Sequence, residues 1–161
     1  LKIKFITLGG TIDKVYFDAM SQYEIGPPSI HQILKDARIN FDYEVESLLK
    51  KDSLDMTDQD RSTLLEAVKT DPNDRIVITH GTDTMTDTGI ALKQIKGKTI
   101  VLTGAMEPAG FKSSDATFNL GCAIAAVQAL PHGVYIAISG RIFDPEKTKK
   151  NRGRKQFEER R

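Results

Sequence analysis

Short runs dense in Ile and Val alternate with stretches whose apolar residues recur at helical spacing, and this alternation most narrows the folds open to the chain. Strand candidates are 2–7, 43–48, 75–79, 98–103 and 133–139, each too short for an independent helix. Between them, Ser29 after Pro27 and Pro28 opens a stretch with Ile30, Ile33, Leu34 and Ala37 on one face. Thr57 opens a second with Leu64, Leu65 and Val68, its Asp58 and Asp60 lying where a helix N-terminus favours negative charge. A third spans 84–92. A fourth, 114–130, carries Ala116, Gly121, Ala123, Ala125 and Ala126, small enough to pack closely on a sheet. Strands separated by helices call for crossover connections, so the expected fold class is α/β: one open parallel β-sheet with helices on both faces, residues 1–161 forming a single domain.

Composition removes several classes of function. With 39% hydrophobic residues the chain is too apolar for a disordered segment, and no apolar run approaches the roughly 20 residues of a membrane-spanning helix. Cys122 is the one cysteine, so no disulfide within the chain and no thiolate zinc site is possible. Three His without metal-ligand spacing argue against a metal, and no cofactor is expected. Residues 1–6 lack the long apolar stretch of a signal peptide, and the expected compartment is the cytoplasm. Charge is balanced overall at 23 basic against 22 acidic residues, but Lys147, Lys149, Lys150, Arg152, Arg154, Lys155, Arg160 and Arg161 crowd the end. Almost no aromatics interleave them, so the segment reads as a solvated helix or tail rather than a nucleic-acid footprint, with Lys149 or Lys150 the candidates to serve a site.

In open parallel sheets, ligands bind beyond the carboxyl ends of the strands. There the chain places Thr7-Leu8-Gly9-Gly10-Thr11-Ile12-Asp13, Asp52-Ser53-Leu54-Asp55, His80-Gly81-Thr82-Asp83-Thr84 and Gly104-Ala105-Met106-Glu107-Pro108. Glycines let backbone N–H groups approach a ligand that hydroxyls and carboxylates orient. Each loop also has a plain reading: Gly9-Gly10 as a tight turn, Asp83 as a helix cap, His80 as a packed loop residue hydrogen-bonded to backbone. Neither GxGxxG, nor a P-loop Lys, nor a Gly-x-Ser-x-Gly elbow is present.

A Thr hydroxyl needs a base to become a nucleophile, and without a usable His that base is a Lys positioned by a carboxylate. Thr11 after two glycines is such a nucleophile candidate, with Asp83 placing the Lys and the Thr82 hydroxyl between Lys and substrate. N–H groups of the glycine-rich turn would serve a tetrahedral intermediate. This combination describes acyl transfer to a threonine, ending in amide or ester hydrolysis.

The loop residues resemble the bacterial-type L-asparaginase and glutaminase-asparaginase family. Thr7-Leu8-Gly9-Gly10-Thr11-Ile12 is similar to its first signature and His80-Gly81-Thr82-Asp83-Thr84-Met85 to its second; Thr103-Gly104-Ala105-Met106-Glu107-Pro108, Asp115 and Phe118-Asn119-Leu120 follow in the family's order. The resemblance implies a Rossmann- or flavodoxin-like sheet, as in that family's N-terminal domain, in a short single-domain form. It implies Thr11 as nucleophile, with Thr82, Asp83 and a downstream Lys as the second catalytic group. Counting from Gly133 without gaps selects Lys150, preferred here; the family's Thr-Lys pair selects Lys149. A phenol orienting the nucleophile falls on Tyr16 or Tyr23, with Tyr16 favoured. Substrate binding falls on Gly10, Ser53, Asp55, Gly81 and the Ala105 carbonyl, with Leu54 where the family usually has Gln. The implied activity is hydrolysis of L-asparagine to L-aspartate and ammonia through an acyl-threonine, by a homo-oligomer acting on a small amino acid with no nucleic acid and no membrane. Alternatives are the amidase subunit of a tRNA-dependent amidotransferase and a non-catalytic amino-acid sensor.

Overall fold

The computed structural model describes residues 1–17 and 22–161. In chain order the elements are β1 (Lys2–Gly9), β2 (Lys14–Phe17), β3 (Gln22–Ile25), α1 (Ile30–Asp36), β4 (Asp42–Lys51), α2 (Asp58–Thr70) and β5 (Arg75–Thr79). There follow α3 (Met85–Leu92), β6 (Thr99–Thr103), α4 (Ala116–Ala129), β7 (Gly133–Ile138), β8 (Arg141–Phe143), β9 (Thr148–Asn151) and β10 (Gln156–Glu159). Six strands form the central sheet in the order β4-β1-β5-β6-β7-β8; the first five are parallel and β8 runs back along β7. Hairpins aside, that is the second, first, third, fourth and fifth strand, the flavodoxin-like order whose direction of winding reverses beside the first strand.

Side-chain alternation along each strand sorts the core into two layers. Ile3, Phe5, Val77, Val101 and Ala137 pack against Ile30 and Leu34 of α1 and Leu120, Ala123 and Val127 of α4. On the other face Ile6, Leu8, Ile76, Ile78, Ile100, Leu102 and Ile136 meet Leu64 and Val68 of α2 and Met85 and Leu92 of α3. Each fully buried Ile or Leu contributes about 1.5–3 kcal/mol by leaving water. Helices therefore cover both faces, as the alternation predicts, and among the described residues no helix is long and apolar enough to cross a membrane.

Local chemistry fixes the boundaries. Thr57 caps α2 through a reciprocal pair: Asp60 N–H donates to Thr57 Oγ1 at 3.1 Å and Thr57 N–H to Asp60 Oδ2 at 2.9 Å. Ser29 makes no such cap; its hydroxyl donates to the Ile12 carbonyl at 3.1 Å, tying α1 to the turn after β1. The basic end of the chain is neither helix nor solvated tail. Residues 148–159 form the antiparallel hairpin β9–β10 because alternate side chains can be buried: Thr148 is 0% and Phe157 5% exposed, and Phe157 packs on Phe143. A second hairpin, β2–β3, follows the first loop.

At the carboxyl edge of the sheet, register aligns Ser47, Thr7, Thr79 and Thr103 across β4, β1, β5 and β6. Thr103 Oγ1 donates to the Ala137 carbonyl at 2.7 Å, whereas the buried hydroxyls of Thr7 and Thr79 have no hydrogen-bond partner among the described residues.

Candidate active site

The loops after β1, β4 and β5 meet with almost nothing between them. Gly10 adopts φ 86° and ψ −176°, a conformation essentially confined to glycine, and a Cβ there would lie 2.6 Å from Gly81 N and Cα. A Cβ on Gly81 would lie 2.7 Å from Ser53 Cβ. Only hydrogen fits at either contact, so Thr11 and Thr82, each one residue further on, flank the place where the first and third parallel strands lie side by side. Open sheets of this order bind ligands at that reversal.

Lys150 of β9 supplies the cation. Its Nζ donates to Thr82 Oγ1 at 2.7 Å and to Asp83 Oδ1 at 2.8 Å, and its side chain is only 14% exposed. Lys149 projects from the other face of the strand and pairs with Glu158 across the hairpin at 3.3 Å. The same Asp83 oxygen receives Arg152, whose Nε lies 3.3 Å away in the turn after β9. Nothing in the sequence distinguished Arg152 from its basic neighbours, because its partner is set by the hairpin.

Supporting contacts hold the loops. Ser53 Oγ accepts from the N–H groups of Asp83 at 3.1 Å and Thr84 at 3.3 Å, and the Ser53 carbonyl accepts from Thr84 Oγ1 at 2.8 Å. Asp55, two residues on, is exposed. Asp52 accepts from Leu54 N–H and Lys14; burial opposes its charge, but these donors outweigh it and hold the carboxyl below its ordinary range. Ala105 is buried against Ile12 and Ala116, its loop fixed by Asp115, which accepts from Met106 and Glu107 N–H, and by Asn119, which donates to the Gly104 carbonyl at 2.9 Å.

His80 is fully buried. Its Nδ1–H donates to the Gly81 carbonyl at 2.5 Å, so Nε2 accepts from Thr88 Oγ1 at 2.7 Å, and Thr88 accepts from Arg61 Nε at 3.1 Å. Burial pushes its pKa down to about 4, leaving a neutral ring that braces the loop, as the packed reading expects. Asp13, 3% exposed, accepts from Ser29 N–H at 2.8 Å; burial raises its pKa to about 6 against the pull of Ser29 and Lys50. No pattern in the sequence marked it, since only the fold buries it.

Tyr16 of β2 faces Tyr23 of β3 with ring centroids 5.4 Å apart, and Tyr23 in turn meets Phe111 at 6.0 Å. Both tyrosines are half exposed, and among the described residues no hydrogen bond joins either phenol to Thr11.

A flavodoxin-ordered sheet with a lysine–threonine–aspartate cluster at its reversal defines an α/β protein equipped for proton transfer beside a hydroxyl. The asparaginase N-terminal family matches residues 2–158, and the chain belongs to that family. It is 33% identical over 156 residues to L-asparaginase 2 of Escherichia coli, covering 88% of this chain and 44% of that protein. Over 71 residues it is 42% identical to a subunit of the glutamyl-tRNA(Gln) amidotransferase of Methanococcus vannielii, covering 43% of this chain and 17% of that one. The thermostable L-asparaginase from Thermococcus kodakarensis superposes with a TM-score of 0.85 at 30% identity, over 99% of this chain and 51% of that structure. The chain thus spans about half the length of the L-asparaginases it matches.

Proposed function

We propose that residues 1–161 act as a catalytic domain hydrolysing L-asparagine to L-aspartate and ammonia through an ester on Thr11. What carries the reading is Lys150 Nζ at 2.7 Å from Thr82 Oγ1 and 2.8 Å from Asp83, one glycine contact away from Thr11. Thr11 Oγ attacks the side-chain amide carbon; its proton passes by way of Thr82 and Lys150 to the departing nitrogen, which leaves as ammonia. Water then attacks the ester, the same groups take its proton and return one to Thr11 Oγ, and aspartate is released. N–H groups beside Gly10 and Gly81 stabilise the oxyanion in each half, and the Ala105 carbonyl receives the amide N–H. Tyr16 is the phenol assigned to orient Thr11. Ser53 Oγ, with two N–H groups already on its lone pairs, has its own proton left to donate to substrate, and the exposed Asp55 is the carboxylate assigned to the ammonium.

An amidase working with a partner protein is the second reading, favoured by the likeness to the amidotransferase of Methanococcus vannielii. Ammonia release from L-asparagine, L-glutamine and D-asparagine, with Thr11→Ala alongside, separates the two. Release by the isolated chain that disappears in the variant supports the asparaginase; no release from any of the three substrates refutes it.

A further inference from the structure

We infer that Met106 is a modification site built into the reactive cluster: its thioether takes the Thr82 hydroxyl proton in the resting protein, and oxidation of that sulfur by hydrogen peroxide slows hydrolysis. The inference rests on the amidohydrolase reading and adds a form of regulation to the same site.

Lys150 sets the direction of the protons. Its ammonium has donors and no acceptor, and it donates to Thr82 Oγ1 at 2.7 Å and to Asp83 Oδ1 at 2.8 Å. The Thr82 hydroxyl therefore points its own proton elsewhere, and among the described residues the acceptor is Met106 Sδ, 3.8 Å away. A thioether is a weak acceptor. To relay a proton toward Lys150 this hydroxyl must turn round, and leaving a sulfur atom costs it little. The resting cluster is thus held in order by a contact that is easily given up.

Placement makes this sulfur both fixed and reachable. Asp115 accepts from the Met106 N–H at 3.0 Å, which anchors the residue in the loop after β6, while the residue as a whole is only half-buried. Met85 is 0% and Met56 9% exposed, so peroxide meets Met106 ahead of either. The fourth methionine, Met20, lies outside the described residues. In the reaction a sulfur lone pair attacks one peroxide oxygen, the O–O bond breaks as an S–O bond forms, and the other oxygen leaves as water with both hydrogens. Sulfur loses two electrons and the peroxide gains them. The sulfoxide oxygen is polar and a far better acceptor than the thioether. It holds the Thr82 proton, so the hydroxyl no longer turns toward Lys150 and the relay to the departing nitrogen is interrupted.

The test treats wild type, Met106→Leu and Met20→Leu with hydrogen peroxide, assays each on L-asparagine, and follows sulfoxide at every methionine by peptide mass spectrometry. In wild type and Met20→Leu, kcat should fall about tenfold in step with sulfoxide at 106, the size of one hydrogen bond set against the reaction, while KM stays within about threefold. Met106→Leu, compared with its own untreated rate, should change less than about twofold over the same exposure. Methionine sulfoxide reductases for both sulfoxide epimers, with dithiothreitol, should return the lost activity. A loss that runs ahead of sulfoxide at 106, persists in Met106→Leu or resists both reductases overturns the proposal. If untreated wild type hydrolyses no amide, the hydrolytic reading falls by itself and the masses still decide the site. Sulfoxide forming at 106 ahead of 56 and 85 supports it, and equal rates at the three overturn it.

Discussion

Gly10→Ala probes the contact on which the site is built. An added Cβ would start 2.6 Å from the Gly81 backbone where ordinary contact begins near 3.4 Å, so the first and third loops must part by about 0.8 Å. Gly81 cannot yield easily, since it is itself pressed against Ser53. Overpacking of this kind costs about 1–3 kcal/mol, and a side chain at φ 86°, ψ −176° adds roughly 1–3 kcal/mol, so the variant should lose about 2–6 kcal/mol. Gly97→Ala is the control: φ is +77° but nothing lies within 4 Å of the added Cβ, and it should cost only the backbone share, about 1–2 kcal/mol. Urea unfolding gives both values. A shift near 1 Å between Thr11 and Thr82 should also lower turnover about 100-fold in Gly10→Ala and leave Gly97→Ala within about threefold of wild type. Equal destabilisation by the two variants, or full activity in Gly10→Ala, would refute the claim that this backbone contact sets the geometry.

Further outcomes follow from single groups. Lys150→Met should lower kcat by about 10²–10⁴, as expected for a lost acid–base group, whereas Lys149→Met stays within about threefold; the reverse order in an ammonia assay would reassign the lysine. Thr79→Val removes a buried hydroxyl that has no partner and should be neutral or stabilising by about 1 kcal/mol, while Thr103→Val should cost about 1 kcal/mol; chemical denaturation that ranks them oppositely defeats the comparison. Asp13 has a folded pKa raised from 3.8 to about 6, so the folded state holds more protons in that window and stability falls as pH rises through it. The two-unit shift corresponds to roughly 3 kcal/mol. Asp13→Asn should therefore be less pH-dependent than wild type between pH 4 and 7, and parallel stability curves would show that the group does not titrate as described.

The parts of this fold that the sequence announces are those whose burial is continuous. β5, β6 and β7 are buried on both faces, so Ile76-Val77-Ile78 and Ile100-Val101-Leu102 stand out as apolar runs, and Arg75–Thr79 matches residue for residue. β4 lies at the edge of the sheet and ends in Leu49-Lys50-Lys51, which is why periodicity found only its first part. The two hairpins are short and half exposed, and their alternation is too brief to separate from loop. The count from Gly133 favoured Lys150 and the Thr-Lys pair Lys149, and the two signals disagree because the choice depends on strand parity. Once β9 pairs with β10, alternate side chains face opposite ways, and Lys150 is the one turned toward Asp83. The loops after β1 and β5 were legible because each sets glycine and a hydroxyl in fixed order, Gly9-Gly10-Thr11 and Gly81-Thr82. Arg152 and Asp13 were not, since an ion pair across 69 positions and a carboxyl buried by α1 leave no local mark.

An ester on Thr11 is tested most directly by offering hydroxylamine as a rival to water during turnover of L-asparagine and of L-aspartate β-methyl ester. If both substrates pass through the same acyl-threonine, the ratio of aspartyl hydroxamate to aspartate is identical for the two, and Thr11→Ala forms neither product. A ratio that changes with the leaving group, or hydroxamate formed without Thr11, would contradict a common intermediate on that residue.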